Sequence, residues 1–272
     1  MSFLYQDIEK RVNNWRESGF VAMNYPVISE ILKFNREQNA GFRLREAQLQ
    51  AIETYWYIRI ELKTPTFEKL YKELYPEKSD FYESIGINLS DSEIIKLITN
   101  GKNILEKIKT DDEFTKKHRL ESLRESLDLD YPSYILSLAM GVGKTILIGT
   151  IIATEFAMAL EYGNETEVKF MENALVFAPG TTIIESLREI SEIPFENILP
   201  PRLYRKFIAN LKITYTSKDK KEISVEDGGI YNIVITNTEK IMIKKYQKKG
   251  FFNKTGEEQE YLVNQRLRKL SS

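Results

Sequence analysis

The sequence predicts an α/β protein in which a parallel sheet flanked by helices follows a mostly helical N-terminal region. Three observations predict it. From residue 134 onward, buried-type apolar runs alternate with helix-type segments, which argues for parallel strands covered by helices. Before that point the apolar residues recur at helical spacing. Finally, the stretch 134–145 (YILSLAMGVGKT) and the apolar run 146–153 read as a buried strand, a glycine-rich loop and a buried helix.

Taken in order, the elements are justified as follows. Residues 42–52 (FRLREAQLQAI) predict an amphipathic helix with Leu44, Ala47, Ala51, Ile52 and Tyr55 inward. Thr64-Pro65, then Phe67, Leu70, Tyr71 and Leu74, place a proline near a helix start and the apolar residues on one face. Residues 90–93 (SDSE) have capping-box spacing ahead of Ile94, Ile95, Leu97 and Ile98, and Gly101 supplies a stop. The charged stretch 107–124 lacks a wide apolar stripe and predicts an exposed helix or a connection. Residues 173–178 predict a second buried strand with a helix over 181–190 after it. Residues 212–216 and 232–236 supply two more strands, and Asp227-Gly228-Gly229 a turn, giving a sheet of at least four strands. The expected division is a helical region over 1–130, with an insertion at about 63–130, and a sheet domain over 131–272.

Composition narrows the chemistry. The chain has 272 residues, 42% of them hydrophobic, which supports a real core. It has no cysteine and one histidine, His118, so disulfides, thiolate metal sites and histidine clusters are excluded. The run 145–160 contains Glu155 and falls short of the roughly 20 residues that span a bilayer, so it is expected to be a core helix. The first residues carry no export signal, and a cytoplasmic location is expected. Charge is segregated: residues 201–272 hold 16 Lys and Arg against 8 Asp and Glu, leaving 23 against 32 for the rest. A region that faces a polyanion would show this asymmetry, although a solvated lysine-rich surface would show it too.

The glycine loop carries the sharpest signal. Gly141 and Gly143 lack a Cβ, so the backbone of Ala139, Met140, Gly141, Val142 and Gly143 can turn tightly and aim amides at phosphate oxygens. Lys144 would meet the β and γ phosphates. Thr145 would open a helix whose N-terminus favours anions and offer its hydroxyl to Mg²⁺. The pattern points to ATP with Mg²⁺.

Joined to this loop, residues 42–52 resemble the Leu-Arg-x-x-Gln-x-x-Ala-Ile element of superfamily 2 helicases and translocases, most closely the helicase-like restriction (Res) subunits of type III restriction enzymes and their DEAD/DEAH-box relatives. The resemblance implies a RecA-like lobe in which Gln48 reads adenine through its amide and Arg45 lies beside the base or the phosphates. Residues 174–185 are similar to a motif whose Thr181 and Thr182 would touch the nucleic-acid backbone. Residues 231–240 are similar to a strand end whose Thr236, Asn237 and Thr238 would contact the tracking strand. The implied partners are DNA and a modification methyltransferase subunit. Two departures stand out. Ninety residues separate Gln48 from Ala139, and the chain contains no Asp-Glu-x-His, the acidic pair that holds Mg²⁺ and polarises water. The chain therefore reads as the N-terminal part of a longer enzyme, with little ATPase activity of its own. A nucleotide-responsive scaffold without catalysis, and a small P-loop transferase, are the other readings.

Overall fold

A computed structural model describes residues 4–37, 41–163, 166–178, 187–215 and 231–237. The chain divides into two compact units, residues 1–33 with 45–142 and residues 34–44 with 143–272. The boundary thus falls inside the glycine loop, at Val142 and Gly143, rather than at 130, and a short early segment belongs with the later unit.

The first unit is helical. It contains α1 (Leu4–Glu17), α3 (Glu46–Trp56), which runs on into one π-helical turn (Tyr57–Glu61), α4 (Phe67–Leu74), α5 (Lys78–Ser84), α6 (Ser92–Thr99), α7 (Ile104–Thr110), α8 (Asp112–Lys117) and α9 (Glu121–Leu127). The helix α2 (Pro26–Glu37) begins in this unit and ends in the other. One core cluster gathers Ile8, Val12, Leu62, Leu70 and Leu74, so the face predicted for α4 is the buried one. A second gathers residues from α5 through α9, among them Phe81, Ile94, Ile108, Phe114 and Leu123. The stretch 107–124 is therefore not an exposed helix: it breaks into short helices that each turn one to three apolar residues inward, a pattern too brief to produce a stripe in sequence.

Helix ends explain the shortness. Asp91 caps α6, its carboxylate accepting from the amides of Glu93 (2.8 Å) and Ile94 (3.3 Å). At the other end Gly101 adopts φ +70°, and its amide and that of Lys102 close back on Ile98 and Leu97, each at 3.0 Å. Asn103 and Asp111 cap α7 and α8 in the same way. In α3 the buried face is offset from the prediction. Leu44 and Ile52 are buried as expected, but Ala47 is exposed, and Gln48, Leu49, Glu53 and Trp56 take the inner positions. The Glu53 carboxylate tolerates full burial because Arg16 Nε donates to it at 2.9 Å.

The second unit is α/β. Its sheet, among the described residues, has three parallel strands, β1 (Asn173–Ala178), β2 (Leu211–Tyr215) and β3 (Tyr231–Asn237), in the order β1-β3-β2. Registers run Asn173↔Asn232 to Ala178↔Asn237 and Leu211↔Tyr231 to Tyr215↔Ile235. The central strand is buried on both faces, with Ile233 and Ile235 fully enclosed, as parallel sheets require. The helix α10 (Lys144–Tyr162) and α11 (Pro201–Asn210) pack in the same unit. Phe156 of α10 lies 6.5 Å from Phe207 of α11 and 5.1 Å from Tyr231 of β3, ring centre to ring centre. Within α10 the backbone of Gly149 approaches Ile193 closely, and a Cβ there would lie 2.3 Å from Ile193 Cδ1. Although α10 is long and apolar enough to cross a membrane, most of it is buried within the unit, Thr150, Thr154 and Glu155 included. Glu155 serves the fold there, accepting from the Met171 amide at 2.9 Å just before β1.

The three strands match three of the four expected. The fourth, leading into the glycine loop, is absent: residues 134–139 form no strand, and Ile135 is 92% exposed. Apolar content alone does not make a strand; a neighbour must supply the ladder, and none of the sheet's pairings involves these residues. Tyr134 instead donates its hydroxyl to Pro65 O, and burial pushes its phenol up to about 12. The expected helix over 181–190 is described only from Leu187, after which residues Arg188–Glu192 form a 3₁₀ turn, and the turn at 227–229 lies outside the described residues.

Candidate phosphate loop and its surroundings

The loop takes its shape from two glycines in conformations that side-chain-bearing residues avoid. Gly141 has φ +77° and Gly143 has φ +83°, ψ 55°, while Val142 between them keeps a negative φ. No heavy atom stands within 4 Å of the position a Cβ would take on Gly141, so glycine is required there by the dihedral and not by crowding. Gly143 is the N-cap of α10, and its carbonyl accepts from Leu147 at 3.1 Å. A left-handed residue followed directly by a helical one turns successive amides toward the same side, the arrangement that makes an anion-binding nest. Lys144 is exposed and Thr145 half-buried on the first turn of α10. On the other side of the glycines, Ala139 and Met140 are exposed, Met140 at 94%.

In the first unit, Arg45 and Gln48 are joined at the start of α3. Gln48 is 2% exposed, and its side-chain oxygen accepts from the Arg45 amide at 2.8 Å. That bond satisfies an N-terminal donor of the helix, so in this structure Gln48 serves first as a cap. Arg45 is exposed, and its Nη1 donates to Gly141 O at 2.7 Å. The guanidinium thus meets the loop backbone, a contact that motif spacing does not reveal.

The residues expected to meet nucleic acid fare differently. Thr181, Thr182 and Thr238 lie outside the described residues. Thr236 is fully buried in β3 opposite Phe177, so its hydroxyl is not offered to solvent, and Asn237 ends the strand opposite Ala178. Of the basic residues on α11, Arg202 and Lys206 both bind Glu161 of α10, at 2.9 and 3.1 Å. Burial raises the pKa of Glu161, but the bonds from Lys206 and Arg202 outweigh it and hold the carboxyl below its ordinary value. Arg205 on the same helix is exposed, with no ion pair among the described residues. Two of the three α11 cations are thereby partly neutralised before any polyanion arrives. The basic residues from Lys218 to Lys249 lie outside the described residues.

Sequence reasoning gave His118 no role, and the structure sets it in a polar cluster. Its side chain is 7% exposed, with Nδ1 3.5 Å from Asp91 Oδ2 and Nε2 3.5 Å from Glu93 Oε2, the latter without a well-directed hydrogen bond. Lys117 is the main cause that holds the Glu93 carboxyl low. Nothing in the spacing of residues 91, 93 and 118 announces this meeting, because it depends on how α6 and α8 pack. Among the described residues no three Asp, Glu or His side chains converge on a metal position, so Mg²⁺ at the loop would rely on Thr145 and on oxygens of the phosphates themselves. The exposed lysine, the helix N-terminus and the hydroxyl fit such an ion–phosphate pair. No known protein family, no curated protein and no solved structure matches this chain.

Proposed function

We propose that residues 139–145 bind the phosphates of Mg²⁺·ATP, and that the chain is the nucleotide- and DNA-binding part of an ATP-dependent translocase of the restriction or anti-phage kind, built on a RecA-like sheet. The observation that carries this reading is the left-handed Gly143 directly ahead of α10, with Lys144 exposed beside the first-turn amides. Such a turn gathers main-chain donors, a helix N-terminus and a mobile cation at one point, and the helix-end field and the lysine both favour negative charge. Lys144 would neutralise charge on the terminal phosphates, Thr145 would hold the ion, and Gln48 would read adenine through its amide. Bound Mg²⁺ would supply charge neutralisation between the phosphates. The sequence holds no Asp-Glu-x-His, the acidic pair that would polarise water, and on this reading the chain holds nucleotide and turns it over slowly or not at all.

The test is calorimetric titration of ATP with Mg²⁺ into the wild type and Lys144→Ala. The wild type binds, and the variant loses binding at least a hundredfold while its circular dichroism and thermal midpoint stay unchanged. A variant that binds as tightly as the wild type would refute the phosphate assignment. A second reading, a nucleotide-responsive scaffold without DNA binding, is favoured by the burial of Thr236 and by the pairing of Arg202 and Lys206 with Glu161.

A further inference from the structure

The Arg45–Gly141 bond has a geometric consequence for the neighbouring amide. A peptide unit is planar and trans, so the Gly141 carbonyl and the Val142 N–H point to opposite sides of one rigid plate. A donor that holds the carbonyl therefore also fixes the direction of the amide. Gly141, with φ +77° and no obstacle around its Cβ position, cannot fix that plate by itself, since glycine allows wide rotation. Arg45 can, because Nη1 sits 2.7 Å from the oxygen and the residue's own main chain is locked by Gln48. The Val142 N–H has no acceptor among the described residues, and so stands as an available donor.

We propose that Arg45 is a positioning residue of the phosphate loop. It clamps the Gly141 carbonyl and thereby presents the Val142 amide, before any nucleotide arrives, as a preset donor to a phosphate oxygen. The proposal rests on the phosphate-loop reading above and departs from the resemblance, which would set Arg45 against the base or the phosphates. The benefit is preorganisation: a donor already aimed loses less freedom on binding than one that must be turned. The main-chain cap between Arg45 and Gln48 does not use the guanidinium, so truncating the side chain leaves α3 capped.

Three ligands and one ligand-free measurement test it in the full chain. Arg45→Ala weakens ATP and inorganic tripolyphosphate by the same factor, about 5- to 30-fold, the size of one or two kcal/mol. Arg45→Lys, which keeps one donor, recovers part of the loss. Adenosine affinity does not change. In the ligand-free protein the Val142 amide resonance shifts, and its hydrogen exchange alters, in Arg45→Ala. A loss confined to ATP and adenosine, with tripolyphosphate unaffected, would show that Arg45 meets the base. An unchanged Val142 amide alongside weakened tripolyphosphate binding would show direct phosphate contact. Either result overturns the positioning role, as does Arg45→Ala binding all ligands like the wild type. Lys144→Ala keeps the two proposals separate: if it leaves tripolyphosphate binding intact, the phosphate-loop reading fails; if it abolishes binding while Arg45→Ala has no effect, only the clamp fails.

Discussion

Asp91 shows how much one side chain organises. Its carboxylate holds the amides of Glu93 and Ile94 at the start of α6, and the Glu93 amide is the main cause that lowers its pKa. The Ile94 amide, His118 and Lys117 act in the same direction, while burial opposes them. A carboxyl with a folded pKa below its unfolded one stabilises the protein above the unfolded value, and that contribution disappears as pH falls through the lowered value. Asp91→Ala should therefore lower the thermal midpoint by a few degrees near neutral pH, and the gap to wild type should close in acid. Thermal melts across the acid range check this, and a gap that persists at the lowest pH would mean that the charged cap is not its source. At this scale the sequence was partly legible. The SDSE signature located the helix start, but the cap is Asp91 and not Ser90, because it is Asp91 that sits extended directly before the first helical turn. The positive-φ glycines ahead of α10 were also legible, as local chemistry tied to local backbone. The clamp from Arg45 to Gly141 was not, since it joins residues 96 positions apart.

Among the elements, α10 is held by close approach. Its Gly149 lets Ile193 and Ile190, from the 3₁₀ turn and the residues after it, reach the helix backbone. Gly149→Val places a branched side chain where even one Cβ is already too near, and should cost about 1–3 kcal/mol in chemical denaturation. An unchanged midpoint would mean that Ile193 moves aside freely. Long, strongly patterned elements were readable: α4, α6, α10 and all three strands lie where periodicity set them. Short helices were not, because α7, α8 and α9 have only six or seven residues each and show no full stripe. The strand expected at 134–139 illustrates the opposite case: its apolar run suggests burial, yet Ile135 is exposed. Pairing partners decide that, and composition does not report them.

Across the whole chain, charge separates while the described cations on α11 are mostly paired, so the DNA part of the proposal depends on the lysines beyond residue 215. Binding to a labelled duplex, followed by fluorescence anisotropy, should weaken along a straight line in log affinity against log salt, with a slope of about 0.9 per phosphate neutralised. Absent or salt-independent binding would discard the translocase reading in favour of the scaffold. The sequence marks the glycine loop as one motif, whereas the contacts assign its two halves to different units. One further consequence concerns the birth of the protein. The 19 residues of α10 make a rod roughly 30 Å long. Until the 3₁₀ turn at Arg188–Glu192, α11 and β3 have been synthesised and folded around it, a ribosome displays this greasy segment naked, more than twenty residues ahead of the first of them. Recovery of native protein should therefore depend on chaperone capture during translation, and refolding from denaturant should favour high dilution, where neighbouring chains cannot reach the same surface first.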